Sequence, residues 1–206
     1  MCTPRPRLLT KARLAAGAIA VAVAVTLAVR LTMTAQQNET SFWGAVWIDY
    51  RFFTIWTNTL VGGVTAAFAM GRRLPDWATA GAAVSIGLVG SVYHTLLAAG
   101  RNLTGLDFVI DHMVHTVVPL GFIALWLWAL PKTGLRWRHL AVWSAYPILY
   151  SVYAIARGAA DGVYPYFFLN VPELGAAAVA GWVAGLAAVF LVAGAAMILG
   201  SRMAAR

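Results

Sequence analysis

Residues 108–130 read FVIDHMVHTVVPLGFIALWLWAL, a stretch long enough to cross a bilayer as a helix, yet it carries one acid and two histidines. Ionisable side chains are costly in hydrocarbon and are tolerated mainly where they face a bundle interior and serve a function. Asp111 and His112 precede His115 by four and three residues, so all three share one helix face. The stretch therefore predicts a buried polar site. The alternative is that these side chains only link helices through hydrogen bonds.

The composition of the whole chain is that of a polytopic membrane protein. Of its 206 residues, 61% are hydrophobic and 11% are charged, proportions that do not describe a soluble domain. The formal net charge of +8 does not indicate nucleic acid as a partner, because the basic residues form short clusters between apolar runs. The single cysteine, Cys2, excludes an internal disulfide and a thiolate metal cluster.

Six apolar segments predict six transmembrane helices, in a single all-α domain that covers residues 1–206. The first segment could instead be a signal peptide. It is rather long for one and is followed by a poor cleavage site, so we interpret it as a retained helix. The approximate spans are 14–33, 52–70, 77–99, 108–130, 140–156 and 173–200.

The distribution of Lys and Arg predicts how these spans are oriented. Eleven of the fifteen Lys and Arg residues lie at the termini or in alternate loops, and the other four are Arg30, Arg51, Arg101 and Arg157. Because short cytoplasmic loops carry the excess of positive charge, both termini are predicted to be cytoplasmic.

This orientation brings polar residues of several spans into the outer half of the bilayer. The adjoining segment 162–170, GVYPYFFLN, is too apolar for an ordinary loop and is interrupted by proline. We expect it to dip into the membrane where protein covers its backbone. The predicted site residues are Thr54, Asn58, His94, Asp111, His112, His115, Tyr150 and Arg157, with Tyr164 in the segment.

One interpretation of this cluster is nucleophilic catalysis. A histidine can activate a threonine hydroxyl by removing its proton, which makes Thr54 and His115 a candidate pair. Asp111, one turn before His115, would orient the imidazole and stabilise its charged form. Intramembrane threonines commonly bond their own helix carbonyls, and spacing alone leaves three alternatives to Thr54: Thr57, Thr59 and Thr95. Candidate donors to a developing oxyanion are Asn58, Tyr150 and Tyr164.

Two further classes of function fit the same residues. A metal-binding membrane protein would use imidazoles and a carboxylate for Zn, Fe or Cu, without any thiolate. Its ligands would be His94, Asp111, His112 and His115. A lipid-binding membrane protein without enzymatic activity is the third class.

Three motifs resemble the androgen-induced and androgen-dependent TFPI-regulating family of membrane hydrolases, which has many actinobacterial members. They are RFFTIW at 51–56, DHMVHTVVP at 111–119 and GVYPYFFLN at 162–170. The resemblance covers most of the chain between residues 51 and 170, and the order and rough spacing of the motifs agree with the family. It implies a multi-span protein of the bacterial plasma membrane.

The resemblance also implies an activity and the residues that carry it. Animal members hydrolyse fatty acid esters of hydroxy fatty acids (FAHFAs), with an intramembrane threonine as nucleophile and a histidine as its partner. By motif, these residues correspond to Thr54 and His115, with His112 in a supporting role. Asp111 stands where the animal proteins have asparagine, a difference that bears on the substrate. A lipid ester is then the expected substrate, membrane lipids are the expected surroundings, and neither a cofactor nor a metal is expected.

Overall fold

The structure, a computed structural model, describes residues 6–203, and its regular secondary structure there is entirely helical. The predicted positions of both termini depend partly on Arg5 and Arg206, which lie outside the described residues, as does Cys2. The helices are α1 (Pro6–Gln37), α2 (Phe42–Asp49), α3 (Phe53–Ala69), α4 (Asp76–Val92), α5 (Gly105–His112), α6 (Val118–Ala129), α7 (Arg138–Asp161), α8 (Val171–Leu174) and α9 (Ala176–Met203).

Three shorter elements complete the fold. One π-helical turn extends α4, a second joins α5 to α6 without a break, and a 3-10 turn lies between α7 and α8. Their bounds are Tyr93–Leu97, Met113–Val117 and Phe167–Leu169, respectively.

Several helices are long and apolar enough to cross a bilayer. Within residues 6–203 there are four such segments: Leu9–Gln37, Asp76–Leu97, Gly105–Ala129 and Ala176–Met203. A fifth span is obtained if α2 and α3, which are bent by 105°, are counted together. The prediction of an all-α, multi-pass membrane protein is confirmed. The helix α7 is not in this set although it has 24 residues, because polar side chains lower its hydropathy.

The segment between the first two predicted spans contains the short helix α2. The Ser41 hydroxyl caps α2 by accepting a hydrogen bond from the Gly44 N–H at 3.2 Å. Trp43 and Trp47 are exposed on this helix. Indole rings suit the headgroup layer, so α2 has the aromatic surface of an interfacial helix.

The helix α4 lies in the centre of the bundle, where it contacts α3, α6, α7 and α9. Gly90 allows the close approach that positions the site. A Cβ atom at Gly90 would lie 3.3 Å from the carbonyl oxygen of His115, a tight contact with backbone that cannot give way easily. On α3 four residues that recur at the 3.6-residue helical period are all buried: Thr54, Asn58, Val61 and Thr65.

An ion pair holds the segment 162–170 against the start of α3. The buried Arg51 guanidinium donates two hydrogen bonds of 2.8 Å to the Asp161 carboxylate, and a third to the Val163 carbonyl. These bonds from Arg51 lower the pKa of Asp161, which lies beyond the predicted fifth span, to about 2. Gly162 ends α7 with a φ of 77°, a left-handed conformation that favours glycine, so the chain turns back towards α3.

Candidate active site

Thr54 and His115 come together at the start of α3. Thr54 is the second residue of that helix, and His115 lies in the π-helical turn between α5 and α6. The Thr54 Oγ1 atom is 3.2 Å from His115 Nε2, within hydrogen-bond distance. Thr54 is 8% exposed and the His115 side chain 12% exposed, so bulk water does not compete freely for this contact.

The other ring nitrogen of His115 determines the direction of the Thr54 hydrogen bond. His115 Nδ1 lies 3.0 Å from the backbone carbonyl oxygen of Asp111. A carbonyl oxygen can only accept, so Nδ1 carries the proton in the neutral imidazole. Nε2 is then the acceptor, and the Thr54 hydroxyl donates to it. This is the tautomer that a general base for Thr54 requires.

The Asp111 carboxylate lies behind the imidazole. Its Oδ1 is 3.4 Å from His115 Nδ1 and 3.5 Å from Arg101 Nη2, and its Oδ2 accepts a hydrogen bond from the Tyr93 hydroxyl. The Tyr93 ring stacks on the His115 ring with centroids 3.9 Å apart and planes inclined by 7°. These contacts fix the orientation of His115.

Both π-helical turns carry residues of this site. Tyr93 and His94 lie in the turn that extends α4, and His115 lies in the turn between α5 and α6. The two turns are joined by a 3.0 Å hydrogen bond between His94 Nε2 and Thr116 Oγ1. Single π turns within helices are rare and frequently occur at functional sites. Each inserted residue rotates the helix beyond it, which changes the face on which the later side chains lie.

Two cavities of different character meet at Thr54. The first, of about 70 Å³, is apolar and lies between α4, α7 and α9, where Leu88, Ile148 and Leu186 form part of its wall. The second, of about 190 Å³, is bordered by charged side chains: Arg30, Asp49, Arg101, Asp107 and Asp111. Thr54 lines both cavities, whereas His115 lines the charged one.

Tyr166 is a site residue that the sequence analysis did not identify. It lines both cavities, and its hydroxyl oxygen accepts a 3.1 Å hydrogen bond from the Phe53 N–H at the start of α3. The same hydroxyl faces that of Thr54. Because its oxygen accepts from a backbone N–H, the hydroxyl keeps its own proton to donate, and the hydroxyls of both Thr54 and Tyr150 lie beside it. Its position in the motif GVYPYFFLN was the available signal, but that motif also contains Tyr164.

Asn58, Tyr150 and Arg157 lie near the site but are occupied by structural contacts. The Asn58 amide donates to two backbone carbonyls, those of Thr54 at 2.8 Å and Val114 at 3.1 Å, and so ties α3 to the π-helical turn of His115. The Tyr150 hydroxyl donates to the Arg51 carbonyl oxygen at 2.8 Å. Arg157 donates from Nη1 to the Tyr153 hydroxyl at 2.8 Å and from Nη2 to the Trp47 carbonyl oxygen at 2.6 Å.

The other predicted residues do not contact Thr54. His112 Nδ1 lies 3.0 Å from the carbonyl oxygen of Phe108, and its ring packs on the Phe108 ring. Tyr164 packs against Gly158 and lines a separate open cavity. The rings of His94 and His115 both contact the Tyr93 ring, whereas His112 packs on Phe108. Within residues 6–203 no group of three or more His, Cys, Asp or Glu side chains is arranged to hold a metal ion.

Comparison with known proteins does not assign a function to this chain. No protein-family model matches the chain, and comparisons with curated proteins and with solved structures also find no match. The features that indicate a function are therefore the arrangement around Thr54 and the three motifs.

Proposed function

We propose that this protein is an intramembrane lipid-ester hydrolase in which Thr54 is the nucleophile and His115 the general base. The observation that supports this most strongly is the position of the Thr54 hydroxyl. It is hydrogen-bonded to a histidine acceptor where an apolar cavity meets a charged one. Hydrolysis of a lipid ester needs this combination, an apolar site for the acyl chain beside a polar site that admits water.

The first half-reaction forms an ester between the substrate acyl group and Thr54. As Thr54 Oγ1 bonds to the carbonyl carbon, its proton passes to His115 Nε2. The imidazolium is stabilised by Asp111, and the oxyanion accepts a hydrogen bond from the Tyr166 hydroxyl. When the tetrahedral intermediate collapses, the bond to the leaving oxygen breaks and His115 returns the proton to that oxygen, which departs as an alcohol.

The second half-reaction releases the acyl group as a carboxylic acid. A water molecule from the charged cavity attacks the acyl-Thr54 carbonyl carbon while His115 Nε2 takes one of its protons. The second tetrahedral intermediate collapses by breaking the bond to Thr54 Oγ1, and that oxygen recovers the proton from His115. Thr54 and His115 return to their starting protonation states, and one water has been consumed for each ester bond that is cleaved.

Long-chain esters are the substrate class that fits this position within the bilayer. Such a substrate is already dissolved in the surrounding lipid, so lateral entry avoids the transfer of its chains through water. That transfer would cost about 0.8 kcal/mol per CH2 group. The resemblance of the three motifs adds a more specific expectation, namely esters of hydroxy fatty acids.

The proposed orientation places this site in the outer half of a bacterial plasma membrane. In it α7, whose 24 residues measure about 36 Å at ~1.5 Å per residue, supplies the fifth of six spans in chain order, and both termini are cytoplasmic. We predict that reporter fusions at residues 72–73 and 132–138 report the cytoplasm and that a fusion at 101–104 reports the exterior. An external signal from either basic loop would contradict the orientation.

Turnover by the purified protein tests the proposed activity. We predict that the protein in nanodiscs hydrolyses esters of hydroxy fatty acids and a fluorogenic long-chain ester, in the presence of a chelator. The chelator matters because His115 must keep Nε2 free for the hydroxyl proton, whereas a metal would occupy that nitrogen. Activity that disappears on chelation would favour the metal-binding class. Lipid binding without turnover of any ester would favour the lipid-binding class.

A further inference from the structure

A second apolar cavity lies next to the one that contains Thr54. Its volume is about 210 Å³, and α4, α6 and α9 provide its walls through residues such as Gly87, Ile123 and Ala193. Leu88 lines this cavity and also the apolar cavity at Thr54, so the two adjoin at its side chain. Ser91 is the polar side chain of its lining, and no charged residue borders it.

The second cavity continues the first along the helix axes. On α9 the Thr54 cavity is lined by residues 183–187, and the second cavity by residues that begin at Val189 and end at Met197. The eight steps from Val189 to Met197 extend the apolar path by about 12 Å, at ~1.5 Å of rise per residue. On α4 the corresponding residues lie before Val92, in the direction away from His115. The path therefore leads from the reacting centre towards the middle of the membrane.

We propose that the second cavity binds the distal half of the substrate acyl chain, and that Leu88 and Ala193 set the chain length the enzyme accepts. This inference rests on the proposed hydrolase function. The occupant is an acyl chain because the cavity continues an apolar cavity that ends at the nucleophile. Its lining offers nothing to a charged or strongly polar group.

Exclusion, rather than hydrophobic attraction, gives this cavity its selectivity. Lipid tails are as apolar as the cavity wall, so an acyl chain gains little transfer free energy by moving from lipid into the protein. A side chain that fills the cavity instead forces the distal carbons of a long chain out of it, and the ester carbonyl is displaced from Thr54. A short acyl chain ends before Leu88 and is unaffected.

The substitution Ala193→Phe tests this inference. Ala193 is exposed on α9 and lines only the second cavity among those described, so a phenyl ring there fills that space without an overpacked core. Ala188→Phe is the matched control, because Ala188 is exposed on the opposite face of α9 and lines none of the described cavities. Both variants add the same apolar volume to the same helix.

We expect Ala193→Phe to lower kcat/KM for a palmitoyl ester about tenfold, as a pocket that is too small for its ligand does. Turnover of the octanoyl ester of the same alcohol should change by less than about twofold, because a chain that ends before Leu88 does not reach the added ring. Ala188→Phe should leave both rates near those of the wild type. Equal losses for both esters in Ala193→Phe, or no loss for either, would overturn the inference while the hydrolase function stands.

A cross-linking measurement tests where the acyl chain ends and does not require that the ester is hydrolysed. A palmitoyl ester that carries a diazirine near its ω end is bound to the Thr54→Val variant in nanodiscs and photolysed. We expect label on the peptide that contains Met197, and we expect Ala193→Phe, but not Ala188→Phe, to remove it. Label that is unchanged by Ala193→Phe would show that the chain end lies in bulk lipid, and this result would reject the inference whether or not any ester is hydrolysed.

Discussion

Removal of the Thr54 hydroxyl should lower kcat for long-chain esters about 1,000-fold or more, a loss of about 4 kcal/mol in transition-state stabilisation. The expected effect is large because the acyl group would have no protein oxygen to which it can transfer. Thr54→Val is the preferred variant, since valine keeps the branched shape of threonine and removes only the hydrogen-bonding oxygen. Thr54→Ser, which retains a hydroxyl on the same backbone position, should recover a measurable part of the activity.

His115→Ala should reduce kcat to a similar residual rate, and so should the double variant with Thr54→Val. Two groups that act as one unit give strongly non-additive losses, because removal of either disables the same step. Two groups that act independently would instead give losses that multiply. Rates of the three variants, measured on one long-chain ester with folding checked by thermal denaturation, distinguish these outcomes.

Thr65→Ala is the matched control for the Thr54 variants. Thr65 is a buried threonine of the same helix, and its hydroxyl donates to the Val61 carbonyl at 2.8 Å rather than to a histidine. We expect its kcat to stay near that of the wild type. A wild-type rate in Thr54→Val, or a Thr65→Ala loss as large as the Thr54→Val loss, would end the assignment of Thr54 as the nucleophile.

Asp111→Asn should have a much smaller effect than either variant of the pair. His115 Nδ1 keeps its 3.0 Å contact with the backbone carbonyl of residue 111 in this variant, so the required tautomer is retained. What is lost is the negative charge behind the imidazolium, which stabilises the charged intermediate rather than performing the proton transfer.

The helical fold could be predicted from the sequence because the apolar runs, of 17 to 28 residues, reach the length that a bilayer requires of a helix. The positions of Thr54 and Asn58 on a buried face of α3 followed from the 3.6-residue period, and their burial is confirmed. The choice of Asp111 and His115 followed from the cost of ionisable groups in hydrocarbon. These inferences depend on local periodicity and solvation, which a single sequence carries.

The remaining geometry depends on features that periodicity does not encode. A π turn inserts one residue into a regular helix, and nothing in YHTLL or MVHTV marks it. The sequence therefore did not indicate that Tyr93 stacks on His115. The 105° bend before α3 lies at Arg51, whose buried side chain bonds to a residue 110 positions later in the chain.

The sequence shows that the segment 162–170 is unusual, but it does not show in which directions its side chains point. It contains two tyrosines, and an irregular backbone has no fixed period from which their directions could be derived. Tyr164 packs against Gly158, whereas Tyr166 lies at the start of α3. The Arg51–Asp161 ion pair holds this segment against the start of α3, and it joins parts of the chain that no local sequence pattern relates.

Tyr166→Phe should lower kcat about 100-fold, the loss that usually follows removal of one oxyanion donor. Phenylalanine keeps the ring that packs against Phe52 and Phe168 and removes only the hydroxyl that faces Thr54. The effect should fall on kcat more than on KM, because the oxyanion develops only in the transition state. Steady-state kinetics on one long-chain ester measure both constants.

Tyr164→Phe provides the control for this prediction, since it makes the same chemical change two residues earlier in the segment. Its ring lines a cavity that Thr54 does not border, so its kcat should stay near the wild-type value. Tyr166→Phe also leaves the Phe53 N–H without its acceptor, which should cost about 1–3 kcal/mol of stability. Affinity for a long-chain phosphonate separates this loss from catalysis, because a tetrahedral anion needs the donor whereas the neutral ester does not. If Tyr166→Phe weakens phosphonate binding no more than it raises KM, the hydroxyl supports the start of α3 and does not contact the oxyanion.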